Sequence, residues 1–116
     1  MYQINFNSPI HIYFIGIGGI SMSGLAEILL SEGFRISGSD RTPSSLTHTL
    51  EEQGAVVHYG QQAENITADI DLIVYTSAIR PDNPELNAAG HLNIPTLTRA
   101  QLLGQMMKNY QVPIAI

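Results

Sequence analysis

Three groups of residues in this 116-residue chain have the types and spacing of a binding site. The first is Gly16-Ile17-Gly18-Gly19-Ile20-Ser21, followed by Met22-Ser23-Gly24. Closely spaced glycines let a backbone turn sharply and let a phosphate approach main-chain N–H groups. A helix opening at such a turn adds its free N–H groups and the positive end of its dipole. Gly16 permits the turn, and a Cβ at Gly18 is expected to hold a phosphate away from those donors. Ser21 stands where a dinucleotide fingerprint has its third glycine. It is small enough for helix and strand to pack, and its hydroxyl is a donor for a phosphate. The plain alternative is a glycine-rich turn with no ligand. A strand before the turn and a helix after it favour a nucleotide or another phosphate compound.

The second group is Ser39-Asp40-Arg41-Thr42. Asp40 lies 24 residues after Gly16, near the place where an acid meets a nucleoside ribose in a dinucleotide fold. Otherwise it opens a loop or helps to cap a helix. The third is a set of cations: Arg41, Arg80 and Arg99 each follow the end of a predicted strand. Ligands of open α/β sheets bind beyond those ends, so three of the five cations point to local recognition of an anion. The small, polar loop Thr76-Ser77-Ala78-Ile79 falls on the same edge, where Ser77 and nearby N–H groups are placed for a diphosphate. As plain connections, these are solvated loop residues. His11, His48, His58 and His91 lack metal-ligand spacing, so no metal site is expected. No nucleophile-plus-base pattern is visible, and no catalytic residue is assigned.

The elements that must position these groups alternate along the chain. Residues 10–16 are β-branched and aromatic and read as a buried strand. Residues 20–33 carry apolar side chains at helical spacing up to Gly33, and 34–39 read as a second strand. Thr42 before Pro43 predicts a helix cap with proline at the first helical position, and Gly54 ends that helix. Strands are predicted at 55–59 and 71–76, with a weakly helical stretch at 61–69 between them. Asn83-Pro84 opens a short helix, 94–97 form an edge strand, and Thr98 to Gln101 fits a capping box. Leu102, Leu103, Met106 and Met107 form the apolar face of the last helix. Val112 to Ile116 read as the start of one more strand, as if the chain were cut at a domain boundary. The alternation predicts an α/β fold, a Rossmann-like open parallel sheet of about five strands with helices on both faces.

Composition narrows the function classes. Hydrophobic residues are 44% and charged residues 13%, which excludes disorder. Zero cysteines exclude disulfides and thiolate chemistry. A net charge of −5 argues against nucleic acid as partner. No apolar run reaches the ~18 residues that span a bilayer, and no secretory signal opens the chain. A cytoplasmic protein with no membrane partner is expected.

The segment HIYFIGIGGISMSGLAEILLSEGFRISGSD closely resembles the opening of the Mur ligases. Residues 54–60, the YTSAI and NPE segments within 75–85, and IPTLTRAQLLGQMM extend the resemblance over about residues 10–116. Two positions depart: the family commonly has glycine at Ser21 and histidine at Gln61. The resemblance implies a domain, residues 1–112, that binds the UDP end of a UDP-sugar, with 113–116 leading into a central domain. It points to the branch that joins L-alanine to UDP-N-acetylmuramate in peptidoglycan precursor synthesis. That reaction activates the muramoyl carboxylate as an acyl phosphate, which the alanine amine attacks. ATP and Mg²⁺ would lie on the P-loop of the central domain and L-alanine in a further one, so this chain alone would hold no cofactor and not catalyse. By position, Gly18, Gly19, Ile20 and Ser21 would face the diphosphate, and Asp40, Arg41 and Thr42 the uridine. Ser77, Ala78 and Ile79 would line the diphosphate or sugar side, with Arg99 on the sugar side or at a domain interface. The competing reading is a stand-alone NAD(H)-binding Rossmann module, and a third is a structural domain with a vestigial site.

Overall fold

The computed structural model describes residues 1–110. Strands β1 (His11–Ile15), β2 (Arg35–Asp40), β3 (Val56–Tyr59), β4 (Leu72–Tyr75) and β5 (Thr96–Thr98) form one sheet. The order is β3-β2-β1-β4-β5, and every pairing is parallel. Helices α1 (Ile20–Ser31), α2 (Ser45–Glu52), α3 (Pro84–His91) and α4 (Arg99–Asn109) connect or follow the strands. A single 3-10 turn, Ala63–Asn65, stands in the stretch read as weakly helical. The α/β reading therefore holds, with five parallel strands among the described residues. The strand predicted at 112–116 lies outside them.

Strand β1 is buried along its whole length because both of its faces are covered. Ile12 and Phe14 belong to one core, which also contains Leu25 and Leu29 of α1, Leu50 of α2 and Leu102 and Met106 of α4. Tyr13 and Ile15 face the other core, with Ile66, Ile70 and Ala89 of α3. Burial of each such side chain contributes about 1.5–3 kcal/mol before the ordering entropy is set against it. Strands β1 and β4 are neighbours in the middle of the sheet, and the chain leaves them toward opposite edges. That divergence opens a crevice beyond their C-terminal ends, where ligands of this architecture bind.

Local chemistry moves several predicted boundaries. The second helix is capped by Ser44, not by Thr42, and Pro43 stays outside it. Ser44 Oγ accepts from Thr47 N, and Thr47 Oγ1 accepts from Ser44 N at 2.8 Å. This reciprocal box satisfies two donors, which the Thr42-Pro43 pair does not offer. The predicted caps at Asn83 and at Thr98 with Gln101 are both present. Strand β5 begins at Thr96 and lies at the sheet edge, with Pro95 outside it.

Met107 is 53% exposed and does not belong to the apolar face of α4. Its expected place inside is taken by Gln105, which is buried under the N-terminal segment. Gln105 Oε1 accepts from Ile4 N at 2.9 Å, and its Nε2 donates to Tyr2 O at 2.7 Å. Phe6 packs edge-on against Phe34 and Tyr110, with ring centroids 6.0 and 5.0 Å apart.

Candidate functional site

The chain leaves β1 through Gly16, whose φ of +83° belongs to the left-handed region that glycine tolerates. Gly16 N and Ile17 N both donate to Ser39 O, at 2.8 and 2.9 Å, which ties the turn to the end of β2. Gly18 N donates to Asp40 Oδ2 at 2.7 Å, and Asp40 Oδ1 accepts from Arg41 N at 2.7 Å. A Cβ on Gly18 would stand 2.5 Å from Asp40 Oδ2 and 2.9 Å from Thr47 Cγ2. Gly18 is thus required first by the close approach of β2 and α2, and the expected role of sparing a phosphate comes second.

Helix α1 begins with an extended Gly19 at its N-cap, and no side chain caps it. Ser23 N donates to Gly19 O, while the N–H groups of Ile20, Ser21 and Met22 have no acceptor among the described residues. Ile20, at the tip, is 86% exposed. The open end of a three-turn helix therefore faces the crevice with its donors free.

Arg99 reaches this end from the other side of the crevice. Its Nη1 donates to Ser21 Oγ at 3.1 Å, joining two residues that are 78 positions apart. Ser21 was expected to donate to a phosphate; its oxygen accepts from Arg99. Among the described residues Arg99 and Arg41 have no acidic partner, whereas Arg80 pairs with Asp82 at 3.2 Å.

Two grooves lie along the loops that follow the strand ends. One, of about 310 Å³, is lined by Arg41, Gln61, Ala78, Ile79, Arg80 and Asn83, among others. The second, of about 230 Å³, is lined by Thr76, Ser77, Thr98, Arg99 and Ala100. The fold thus unites Gly18 with Asp40, Ser21 with Arg99, Arg41 with Ala78 and Ile79, and Ser77 with Arg99. Thr42 is exposed and lines neither groove.

Gln61 and Asn83 were not singled out as site residues. Asn83 Nδ2 donates to Gln61 Oε1 at 2.8 Å, which bridges the loops after β3 and β4. Asn83 Oδ1 meanwhile caps α3 by accepting from Glu85 N at 2.9 Å. The cap explained Asn83 fully at the level of sequence and hid this second bond. For Gln61 the available signal was its place directly after a strand end.

Beneath the site, Glu85 is fully buried. Its Oε1 accepts from Ser39 Oγ at 2.5 Å, and its Oε2 accepts from Tyr13 Oη and Asn65 Nδ2, each at 2.8 Å. Gln62 N donates to the same oxygen at 3.3 Å. Burial and the neighbouring Glu85 carboxylate push the Tyr13 hydroxyl far above its usual range, so it stays protonated and donates to Glu85.

At the far end of β1, His11 Nδ1 donates to Asp69 O at 3.2 Å, and Nε2 accepts from Ser37 Oγ at 2.6 Å. This is the neutral imidazole, and burial with the nearby Arg35 charge holds its pKa below the ordinary value. Sequence gave no sign of the Ser37–His11 pair, because adjacency of β1 and β2 alone creates it. Among the described residues no group of three or more His, Asp or Glu side chains gathers as a metal site. None of the described helices is long and apolar enough to cross a membrane.

Residues 11–111 match the family model described as "Mur ligase family, catalytic domain". The UDP-N-acetylmuramate–L-alanine ligase of Agathobacter rectalis is 64% identical over 116 residues, which are 100% of this chain and 25% of that protein. Among solved structures, the UDP-N-acetylmuramate–alanine ligase of Thermotoga maritima superposes with a TM-score of 0.82 at 33% identity. That match covers 86% of this chain and 23% of the other. The UDP-N-acetylmuramate:L-alanyl-γ-D-glutamyl-meso-diaminopimelate ligase of Neisseria meningitides gives 0.77 at 30% identity, over 84% of this chain and 31% of its own. The chain spans about a quarter of the length of the curated relatives it matches.

Proposed function

This chain belongs to the Mur ligase family, and from that premise we propose that it docks UDP-N-acetylmuramate for a ligase that joins L-alanine to the muramoyl carboxylate. One observation carries the reading. The uncapped end of α1 meets an arginine that has no acidic partner among the described residues and that lines one of the two grooves at the strand ends. Free N–H groups and a guanidinium suit a diphosphate, and the flanking grooves give room for a nucleoside on one side and a sugar on the other.

In this reading the uridine occupies the groove beside Arg41, Ala78 and Ile79, with Asp40 and Thr42 at its rim. The diphosphate lies over Gly18, Gly19, Ile20 and Ser21. The sugar extends past Ser77, with Arg99 between it and the diphosphate. The chain's contribution is to bind and orient: it fixes the UDP moiety so that the muramoyl carboxylate projects out of the crevice. The reaction takes place on that carboxylate. ATP is expected to convert it to an acyl phosphate, and the amine of L-alanine to displace the phosphate.

The residues of this chain do not fit ATP and Mg²⁺. The sequence has no GxxxxGKS or GxxxxGKT loop, and the described residues hold no cluster of metal ligands. In a ligase of the relatives' length, the sites for ATP, Mg²⁺ and L-alanine are proposed to fall in the three quarters that this chain does not match. A cytoplasmic location follows from that substrate set and belongs to the same proposal.

Thermal shift with UDP-N-acetylmuramate, UDP and NAD tests the reading. A ligand at a hundredfold excess over its Kd stabilises by about 2.7 kcal/mol. UDP compounds are expected to raise the melting temperature more than NAD at equal concentration. A reproducible shift with NAD and none with either UDP compound would replace the ligase reading with a dinucleotide-binding module.

A further inference from the structure

We infer that Ser21 is a positioning residue: its hydroxyl holds the Arg99 guanidinium at the open end of α1, so that one phosphate of the ligand meets both. The inference rests on the UDP-sugar reading above, which supplies the phosphate.

Arg99 is the first residue of α4, and its side chain ends at the first turn of α1. Cations are favoured at helix C-termini and disfavoured at N-termini, where the dipole is positive. Arg99 is therefore set against two positive helix ends at once. No carboxylate among the described residues offsets it. Such a placement gives the domain little stability, and an anion in the crevice adds an attraction to each of these positive groups that offsets their mutual repulsion.

Ser21 is well suited to holding the arginine without neutralising it. An acidic partner, as Asp82 is for Arg80, would cancel the charge that a phosphate needs. A hydroxyl accepts one N–H from the guanidinium and leaves its charge and its other donors available. Fixing a long, rotamer-rich side chain before the ligand arrives removes part of the ordering cost of binding. Ser21 is not needed as a helix cap, since no side chain caps α1. Its hydroxyl has no hydrogen bond to backbone among the described residues. Glycine at this position would leave Arg99 without this tether.

The test is a double-mutant cycle in the full polypeptide that carries these residues, with UDP titrated calorimetrically and thermal melts run without ligand. Ser21→Ala is expected to bind UDP about tenfold more weakly, the loss associated with a hydrogen bond to a charged group. Its melting temperature without ligand should match the parent, and Ser21→Thr should restore affinity. Arg99→Ala should bind UDP more weakly still, and adding Ser21→Ala to it should change nothing further. Parental affinity in Ser21→Ala, or losses that simply add in the double variant, would overturn the inference. So would a variant that melts several degrees lower while its folded fraction binds UDP normally, since Ser21 would then be a brace. A parent that binds neither UDP nor UDP-N-acetylmuramate overturns the UDP-sugar reading itself, and the parent titration separates that result from the others.

Discussion

Gly18 and Asp40 interlock: the Gly18 N–H donates to Asp40 Oδ2 at 2.7 Å, and a Cβ on Gly18 would lie 2.5 Å from that same oxygen. The carboxylate at the end of β2 thus shapes the turn at the end of β1. Any ligand that lies on the turn depends on Asp40 even where it does not touch it.

Gly18→Val is expected to cost both stability and UDP binding. The new side chain must displace Asp40 and the Thr47 methyl, and overpacking of this kind costs about 1–3 kcal/mol. Asp40→Ala removes one obstacle, so Gly18→Ala should be less damaging in that background than in the parent. Asp40→Ala alone should weaken UDP binding in a protein that still folds, and Asp40→Asn should keep more, because an amide oxygen still accepts from Gly18. Denaturant melts and UDP titrations of these five variants and the parent check this. Equal effects of Gly18→Ala in both backgrounds would show that the contact sets nothing.

A pH dependence follows from His11. Its pKa lies below 6.5 in the folded protein and near 6.5 in the unfolded chain. The unfolded state therefore takes up the proton first as pH falls. Stability is expected to be full above about pH 6.5 and to decline as pH drops through the folded value. Arg35 acts with burial to depress the pKa, while Asp69 and Asp71 oppose them. His11→Gln should flatten the midpoint of urea unfolding between pH 7 and 5. An unaltered slope in that variant would assign the dependence to other groups.

Gln105 tests the N-terminal segment. Replacing it with leucine leaves the main-chain groups of Tyr2 and Ile4 without the partners that hold them to α4. An unsatisfied buried polar group costs about 1–3 kcal/mol, and that loss is expected in a thermal or urea melt. Hydrogen exchange should show residues 2–6 opening while the sheet stays protected. Parental protection there would mean that Ile4 and Phe6 hold the segment by packing alone.

The fold was legible because its signals are local. The β-branched and aromatic run at 10–16, the glycines at 16, 33 and 54, and the Asn83 and Thr98 caps each act within a few residues. The glycine turn, Asp40 and Arg99 could be placed on one edge because strand ends of a parallel sheet share one. What stayed hidden depends on separation along the chain. Gln105 meets Ile4 across 101 residues, His11 meets Ser37 through strand order, and the Ser21–Arg99 bond needs both. The cap of α2 was misplaced for a local reason: Thr42-Pro43 and Ser44-Thr47 offer similar signals, and only the second closes a reciprocal box.

Glu85 yields the last prediction. The sequence shows it only as an acid in the first turn of a short helix, a favourable but minor position. In the fold it accepts from Tyr13 on β1, Ser39 on β2, Asn65 in the 3-10 turn and the Gln62 main chain. Every donor is neutral, so the carboxylate draws its stability from hydrogen bonds and the end of α3. Glu85→Ala strands several buried donors at once and is expected to cost at least about 3 kcal/mol. Glu85→Gln keeps one acceptor oxygen and the packing, but its amide group faces donors, so an intermediate loss is expected. Ser39 precedes Asp40, and Glu85 follows the loop that carries Ser77 to Ile79. Folded Glu85→Gln should therefore also bind UDP more weakly, although Glu85 lies beneath the grooves. Urea unfolding gives the first effect, and UDP titration well below the melting temperature gives the second. A Glu85→Gln protein as stable as the parent would show that the four donors do not need a charge. One that is destabilised yet binds UDP normally would confine Glu85 to the core.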